Sequence, residues 1–194
     1  DGAMSPARGL VLVLLAVFAA QWAAPASLLL RGARIESAGQ RYYFRTAPVD
    51  PVDAFRGRYV ILNFDVARVP MPQAQTLRRG ERVYAPLRVG DDRFARLGIV
   101  QRERPDGPHL EVRVQHHDGQ QLWLQLPFDR YYLDEHLAPR AERAVADASG
   151  RRVQAPSRAY VAVKVHHGDA VLEELFIDDE PVHRYLARQQ ASEP

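Results

Sequence analysis

Two patterns of apolar and polar positions divide the chain. Gly9 to Leu30 runs for 22 residues without a charged side chain, and from Arg34 onward most of the chain alternates. As a helix the first run would rise about 33 Å, enough to cross a hydrocarbon core of about 30 Å. It is expected to be a transmembrane anchor over residues 9–30. A cleaved signal peptide is the rival, with Leu10 to Ala20 as its apolar region and Ala24-Pro25-Ala26 as its cleavage site. A buried helix of a soluble protein is the third reading. The apolar run resumes at Leu28 to Leu30, as an anchor would and a processed terminus need not. Residues 1–8 form a flank, in which Asp1 to Ala3 are expected to be a non-native remnant before a natural start at Met4.

After the run, period-two alternation predicts strand after strand. Gln40 to Thr46 is aromatic and β-prone. Gly57 to Val66 puts Val60, Leu62, Phe64 and Val66 on one face and Tyr59, Ile61, Asn63 and Asp65 on the other. Arg68 to Gly80, with Pro70 and Pro72, reads as a long connection. Glu81 to Arg88 offers Val83, Ala85 and Leu87 to a core, and Pro86 argues for an edge position or a bulge. Arg93 to Glu103 offers Ala95, Leu97 and Ile99. Leu110, Val112 and Val114, then Leu122, Leu124 and Leu126, flank His116-His117-Asp118-Gly119, a hairpin signal. A second hairpin runs from Ala159 to Ile177 around His166-His167-Gly168-Asp169.

Helical spacing enters once with force. Leu137, Ala141, Ala144, Val145 and Ala148 share a face, Pro139 suits the first turn, and Gly150 stops the run. The fold class that follows is mainly β with one helix packed on it, an antiparallel barrel or sandwich of seven to nine strands. The domain is expected over residues 31–180. Residues 181–194 read as a polar C-terminal tail with at most a short helix around Val182 to Arg188.

Composition narrows the function classes. The formal net charge of +2 gives no global pull toward nucleic acid, so no nucleic-acid partner is expected. With no cysteine, disulfides and thiolate metal sites are excluded. Of the 26 basic residues all but Lys164 are arginine, a bias that reflects genome composition more readily than a recognition surface. Arg31, Arg34 and Arg41 follow the apolar run and only Arg8 precedes it. Counted strictly, the positive-inside rule puts the domain in the cytoplasm.

The run Asp50-Pro51-Val52-Asp53-Ala54-Phe55-Arg56-Gly57-Arg58-Tyr59-Val60-Ile61-Leu62-Asn63-Phe64 resembles the signature of the GDYXXLXY family of bacterial membrane-anchored proteins. Gly57, Tyr59, Leu62 and Phe64 occupy motif positions, with Arg58 in place of aspartate and Phe64 in place of tyrosine. Phe128 to Glu135 adds a second match through Tyr131 and Glu135, and the lead-in Pro48 to Asp53 a third, through Asp50, Pro51 and Asp53. The resemblance implies a single-span anchor in the bacterial inner membrane, an extracytoplasmic or periplasmic domain and, as partner, a multi-pass membrane protein beside the lipid bilayer. It implies no biochemical activity.

Candidate chemistry is weighed on residue types. The aspartate, proline and glycine of residues 50–57 account for a turn feeding a strand, which makes the motif residues structural. His116, His117, His166 and His167 are the candidate metal ligands, against the plainer reading of solvated turns, since adjacent histidines in extended chain point to opposite faces. A serine–lysine hydrolase would have to join Ser157 to Lys164, because no serine lies between Ser37 and Ser149. Asp134, Glu135 and His136 load a helix start more plausibly than they form an acid/base site. Arg56, Arg58, Arg78, Arg79 and Arg82 are a candidate lipid-headgroup patch. No cofactor is expected. The reading that results is a membrane-anchored, non-catalytic domain that binds or supports another envelope component. An envelope hydrolase or metal-dependent enzyme, or a lipid- or small-ligand-binding domain, is the alternative.

Overall fold

The computed structural model describes residues 6–48, 59–72, 76–149 and 157–192. The chain is mostly β, with a near-closed antiparallel barrel-like sheet, a few helices and an apolar N-terminal helix. That helix, α1, spans Pro6–Ala38. Strands β1 to β12 follow at Gln40–Ala47, Tyr59–Ile61, Asn63–Phe64, Arg68–Pro70, Arg82–Val89, Ala95–Leu97, His109–His117, Gln121–Gln125, Arg130–Tyr132, Ala159–His166, Asp169–Ile177 and Glu180–Pro181. Helix α2, Ala138–Ala148, sits between β9 and β10, and α3, Val182–Ser192, ends the described chain.

One five-stranded sheet has the order β12-β11-β10-β1-β3 and the other β4-β8-β7-β5-β6, with β2 and β9 forming a separate ladder. The sheets are tied at both ends. Tyr43 bridges to Phe94, and Glu111 N donates to Gly168 O at 2.8 Å across the gap between β7 and the β10–β11 turn. Inward-facing residues of both sheets meet around the rings of Phe44, Phe64 and Phe128, whose centroids lie 5.0–6.5 Å apart. Such tilted and edge-on packing is what the ring quadrupole favours. The alanine face of α2 packs on β2 and β11, its small side chains allowing close approach.

Several expectations are corrected. The strand foreseen over Gly57 to Val66 is two strands and a 3-10 turn, because its hydrogen-bond partner changes midway. Tyr59, Val60 and Ile61 pair with Tyr132, Tyr131 and Arg130, whereas Asn63 and Phe64 pair with Ala47 and Thr46. At the changeover Leu62 N donates to Asp129 O at 2.9 Å. Val60, Leu62 and Phe64 stay buried throughout, as their alternation requires. The Arg68 to Gly80 connection begins as a strand, β4, on β8. Strand β5 is internal, and Pro86 stands where its ladder with β7 ends and that with β6 begins. Ile99 is exposed rather than inward, since β6 stops at Leu97, and Phe94 and Val100 take the buried places. The C-terminal stretch is a helix of 11 residues that docks through Val182 and Leu186, both buried, so it is not a loose tail.

A buried hydroxyl cluster joins β1 to the approach of β10. Thr46 Oγ1 lies 2.9 Å from Ser149 Oγ and 3.1 Å from Ser157 Oγ, and 3.0 Å from Ala159 O. Replacing Thr46 with valine keeps the shape and removes the hub, taking from the buried Ser149 hydroxyl its Thr46 partner while Ser157 keeps its bonds to Ala159. The expected cost is about 1–3 kcal/mol, read as a lower urea midpoint with an unchanged slope.

α1 continues as helix past the apolar run, through Arg31, Arg34 and Glu36 to Ala38. At 33 residues it is about 50 Å long. Over Leu14–Ala38, mean hydropathy 1.4, it is long and apolar enough to cross a membrane, and the most apolar 18-residue window within it is unburied. Leu29 is 76 % exposed. The last turns dock on β10 and β11, where Ile35 is buried. Lys164 Nζ donates to Glu36 O at the helix end, where carbonyls otherwise lack partners. Gly39 follows because an added Cβ would lie 2.3 Å from Ile35 O.

Glu173 braces this junction, 2.7 Å from Arg41 Nε and 3.3 Å from Lys164 Nζ. The Arg41 hydrogen bond, helped by Lys164 and opposed by burial, holds the Glu173 carboxyl below its ordinary value of 4.5. A depressed carboxyl contributes stability above the unfolded value and loses it as pH falls through the folded one. The stability difference between the native chain and Glu173→Gln is therefore expected at pH 7 and to vanish progressively below pH 4.5, measured by thermal melts across that range.

Candidate functional site

The two stretches that resemble the family signature pair with each other. β2 and β9 form one ladder, with Tyr59 packed on Tyr132 at 5.7 Å and the Arg130 guanidinium 5.2 Å from the Tyr59 ring. Tyr131 turns inward, and its hydroxyl donates to Glu174 Oε1 at 2.7 Å. Burial first, then that carboxylate, pushes the Tyr131 phenol well above its ordinary value. Glu135 is exposed and 4.0 Å from His136 Nε2. Asp50, Pro51, Asp53 and Gly57 lie outside the described residues, as do Arg56 and Arg58.

Beside this ladder, where β3 and β8 flank the opening of the near-closed sheet, lies a cleft of about 640 Å³. Leu62, Asn63, Phe64 and Asp65 form one wall and Leu124, Gln125 and Leu126 the other. Trp123 stands in it, with the His116 ring stacked on it at 4.2 Å and the Arg68 guanidinium 5.3 Å from its centre. Asn63, Gln115 and Gln125 bring amides that both donate and accept, Asp65 and Asp129 accept, and Arg68 donates. The lining is mainly polar, with the buried side chains of Leu62, Phe64, Leu124 and Leu126 behind it, so hydrogen-bonding groups dominate what the cleft presents.

The remaining candidates do not come together. His116 and His117 end β7, whereas the turn bearing His166 and His167 bridges to Leu110 near its start, about 20 Å away at 3.3 Å per residue. Among the described residues no three histidine or carboxylate side chains cluster as a metal site. Ser157 bonds Thr46 and Ala159, while Lys164, seven positions along, is held by Glu36 and Glu173. Of the arginine patch, Arg82 pairs with Glu111 at 2.9 Å, and Arg78 N donates to Glu81 Oε2 at 2.7 Å. Asp134 Oδ1 accepts from the His136 N–H, and its backbone carbonyl from the Leu137 and Ala138 amides. But α2 starts at Ala138 with no acidic residue in its first turn, so Asp134, Glu135 and His136 form the turn before the helix and do not load its start.

One cluster escaped the sequence reading. Arg93, Asp178 and Asp179 all adopt positive φ, at 66°, 53° and 63°, which non-glycine residues rarely do. Arg93 lies over the Tyr43, Phe94 and Tyr160 rings and pairs with Asp179, which also accepts from the Tyr160 hydroxyl at 2.8 Å. Burial and Asp179 push the Tyr160 phenol up to about 12. Every charge here is matched, so the cluster acts as a clamp between the β5–β6 turn and the β10–β11–β12 sheet.

Neither the curated proteins nor the solved structures compared with the chain give a match. The family model described as GDYXXLXY protein matches residues 21–175, from the apolar helix to β11. On that coverage, which takes in both halves of the β2–β9 ladder, the chain belongs to the GDYXXLXY family.

Proposed function

We propose that the protein is a membrane-anchored, non-catalytic β domain, held on the extracytoplasmic face of a bacterial inner membrane, that binds or supports another envelope component. The observation that carries this reading is the continuity of α1. One uninterrupted helix leads from a fully exposed apolar segment into a docked junction with β10 and β11, so the domain rides on its anchor at a set distance. The cleft beside the signature ladder supplies the recognition surface, with Trp123 and Arg68 of the kinds that dominate binding energy at protein interfaces. The partners proposed are the bilayer and a multi-pass membrane protein. The carboxylates of lowered proton affinity include Glu81, Glu173 and Asp179, each fixed by arginine, and fixed anions suit recognition and packing better than proton transfer near neutrality.

The test is site-specific photocrosslinking in native membranes. A photoreactive residue at Gln125 is expected to give one discrete adduct with an envelope protein, and the same probe at Gln189 on α3 none. Adducts of equal yield and pattern from both positions would remove the cleft from the account.

A further inference from the structure

The last turns of α1 bring the bilayer surface close to one groove. From Leu30 to Ala38 the helix rises about 12 Å, and the headgroup layer on each side of the hydrocarbon is about 5–8 Å deep. Ala38 therefore sits just above the headgroups. It lines a groove of about 550 Å³ together with Arg104, Asp106, His109, His166 and His167.

The groove is preformed. His109 is 4 % exposed, and its Nδ1 meets Gly107 O at 2.7 Å, which fixes the loop that carries Arg104 and Asp106. Gly168, at φ 94°, packs so closely on that ring that an added Cβ would lie 3.1 Å from His109 Nε2. Arg104 Nη2 donates to His167 O at 2.9 Å, joining loop to turn. Arg104 and Asp106 are both exposed, and among the described residues neither has an ion-pair partner. By contrast Arg41, Arg82 and Arg102 are each matched by a glutamate. Two unmatched charges of opposite sign thus face one groove just above the headgroup layer.

We propose that this groove seats the headgroup of a phospholipid of the phosphoethanolamine class, with Arg104 and the histidines of the β10–β11 turn on the phosphate and Asp106 on the primary ammonium. The inference rests on the anchored reading above. Charge complementarity sets the specificity. With the phosphate on Arg104, a glycerol headgroup offers Asp106 only neutral hydroxyls and a choline headgroup has no N–H to give it, whereas a primary ammonium gives a charge-assisted hydrogen bond.

The test is native mass spectrometry of the full chain in detergent, with added phosphatidylethanolamine, phosphatidylglycerol or phosphatidylcholine. One retained phosphatidylethanolamine is expected, favoured about tenfold over the other two, with Arg104→Ser and Asp106→Asn each reducing retention by about tenfold. Inorganic phosphate should not displace it. Equal retention of the three lipids, unchanged retention in both variants, or displacement by inorganic phosphate would overturn the proposal. Both substituted side chains are exposed, and melting temperatures check that the variants fold. Carbonate extraction of the same chain from vesicles separates the two readings. A chain that washes off refutes the anchor and the seat together, and one that stays but shows no lipid preference refutes the seat alone.

Discussion

Phe44→Ala is expected to cost about 3–5 kcal/mol, a large share of the roughly 5–15 kcal/mol that holds a domain of this kind together. Phe44 is fully buried and touches the rings of Phe64 and Phe128, so its removal opens a cavity where both sheets and the signature strand meet. The loss should appear in urea as a lower midpoint with a preserved slope. Because Phe64 and Leu62 both line the cleft, the same change should loosen that wall and weaken the Gln125 crosslink even where the domain remains folded. A midpoint shift equivalent to less than about 1 kcal/mol would mean that the three rings are not the centre of the core.

The second large effect concerns α1. Phe18 and Trp22 are each about 60 % exposed and stand one turn apart, with ring centroids 6.1 Å from each other. Placing arginine at both positions puts two charges into the apolar run, at about 2.5–3.5 kcal/mol each near a bilayer centre. The double variant is expected to leave the membrane fraction on carbonate extraction. The domain itself should melt as before, since none of the apolar window is buried against it. A lowered melting temperature together with intact membrane retention would make α1 a structural helix of the domain instead.

Alternation made most of the strands legible because a half-buried antiparallel strand must show its core face at every second residue. That is why the alternation of Leu110, Val112 and Val114, and of Leu122, Leu124 and Leu126, identifies side chains that are all buried in the fold. The break at Leu62 was not legible for the same reason. Val60, Leu62 and Phe64 go on facing the core while the backbone passes from β9 to β1, and a change of partner leaves no mark in side-chain polarity. Ile99 misled in the opposite sense, as alternation continued past Gly98 without a ladder to support it. For α3, Val182, Tyr185 and Leu186 were a three-residue signal in polar surroundings, and docking on the barrel rather than propensity fixes the helix.

The site was half legible. The signature named Tyr59, Leu62 and Phe64 but not Trp123, Gln115 or Gln125, which reach the cleft from strands more than fifty positions away. The groove at the end of α1 is less visible still. It exists only because Gly168 packs on His109 and because α1 continues as helix to Ala38, and both are tertiary facts. The histidine pairs read as metal-ligand candidates, whereas in the fold His116 stacks on the cleft's Trp123 and His166 and His167 line the groove.

The central claim, an anchored domain on the outer face, meets its most direct test in topology. The chain has no cysteine, so Gln189→Cys on the exposed part of α3 gives a single reactive thiol. In intact cells with a permeabilised outer membrane, a membrane-impermeant maleimide is expected to label it fully. Labelling only after the inner membrane is broken would put the domain in the cytoplasm, as the arginines after the span require, and would contradict the account.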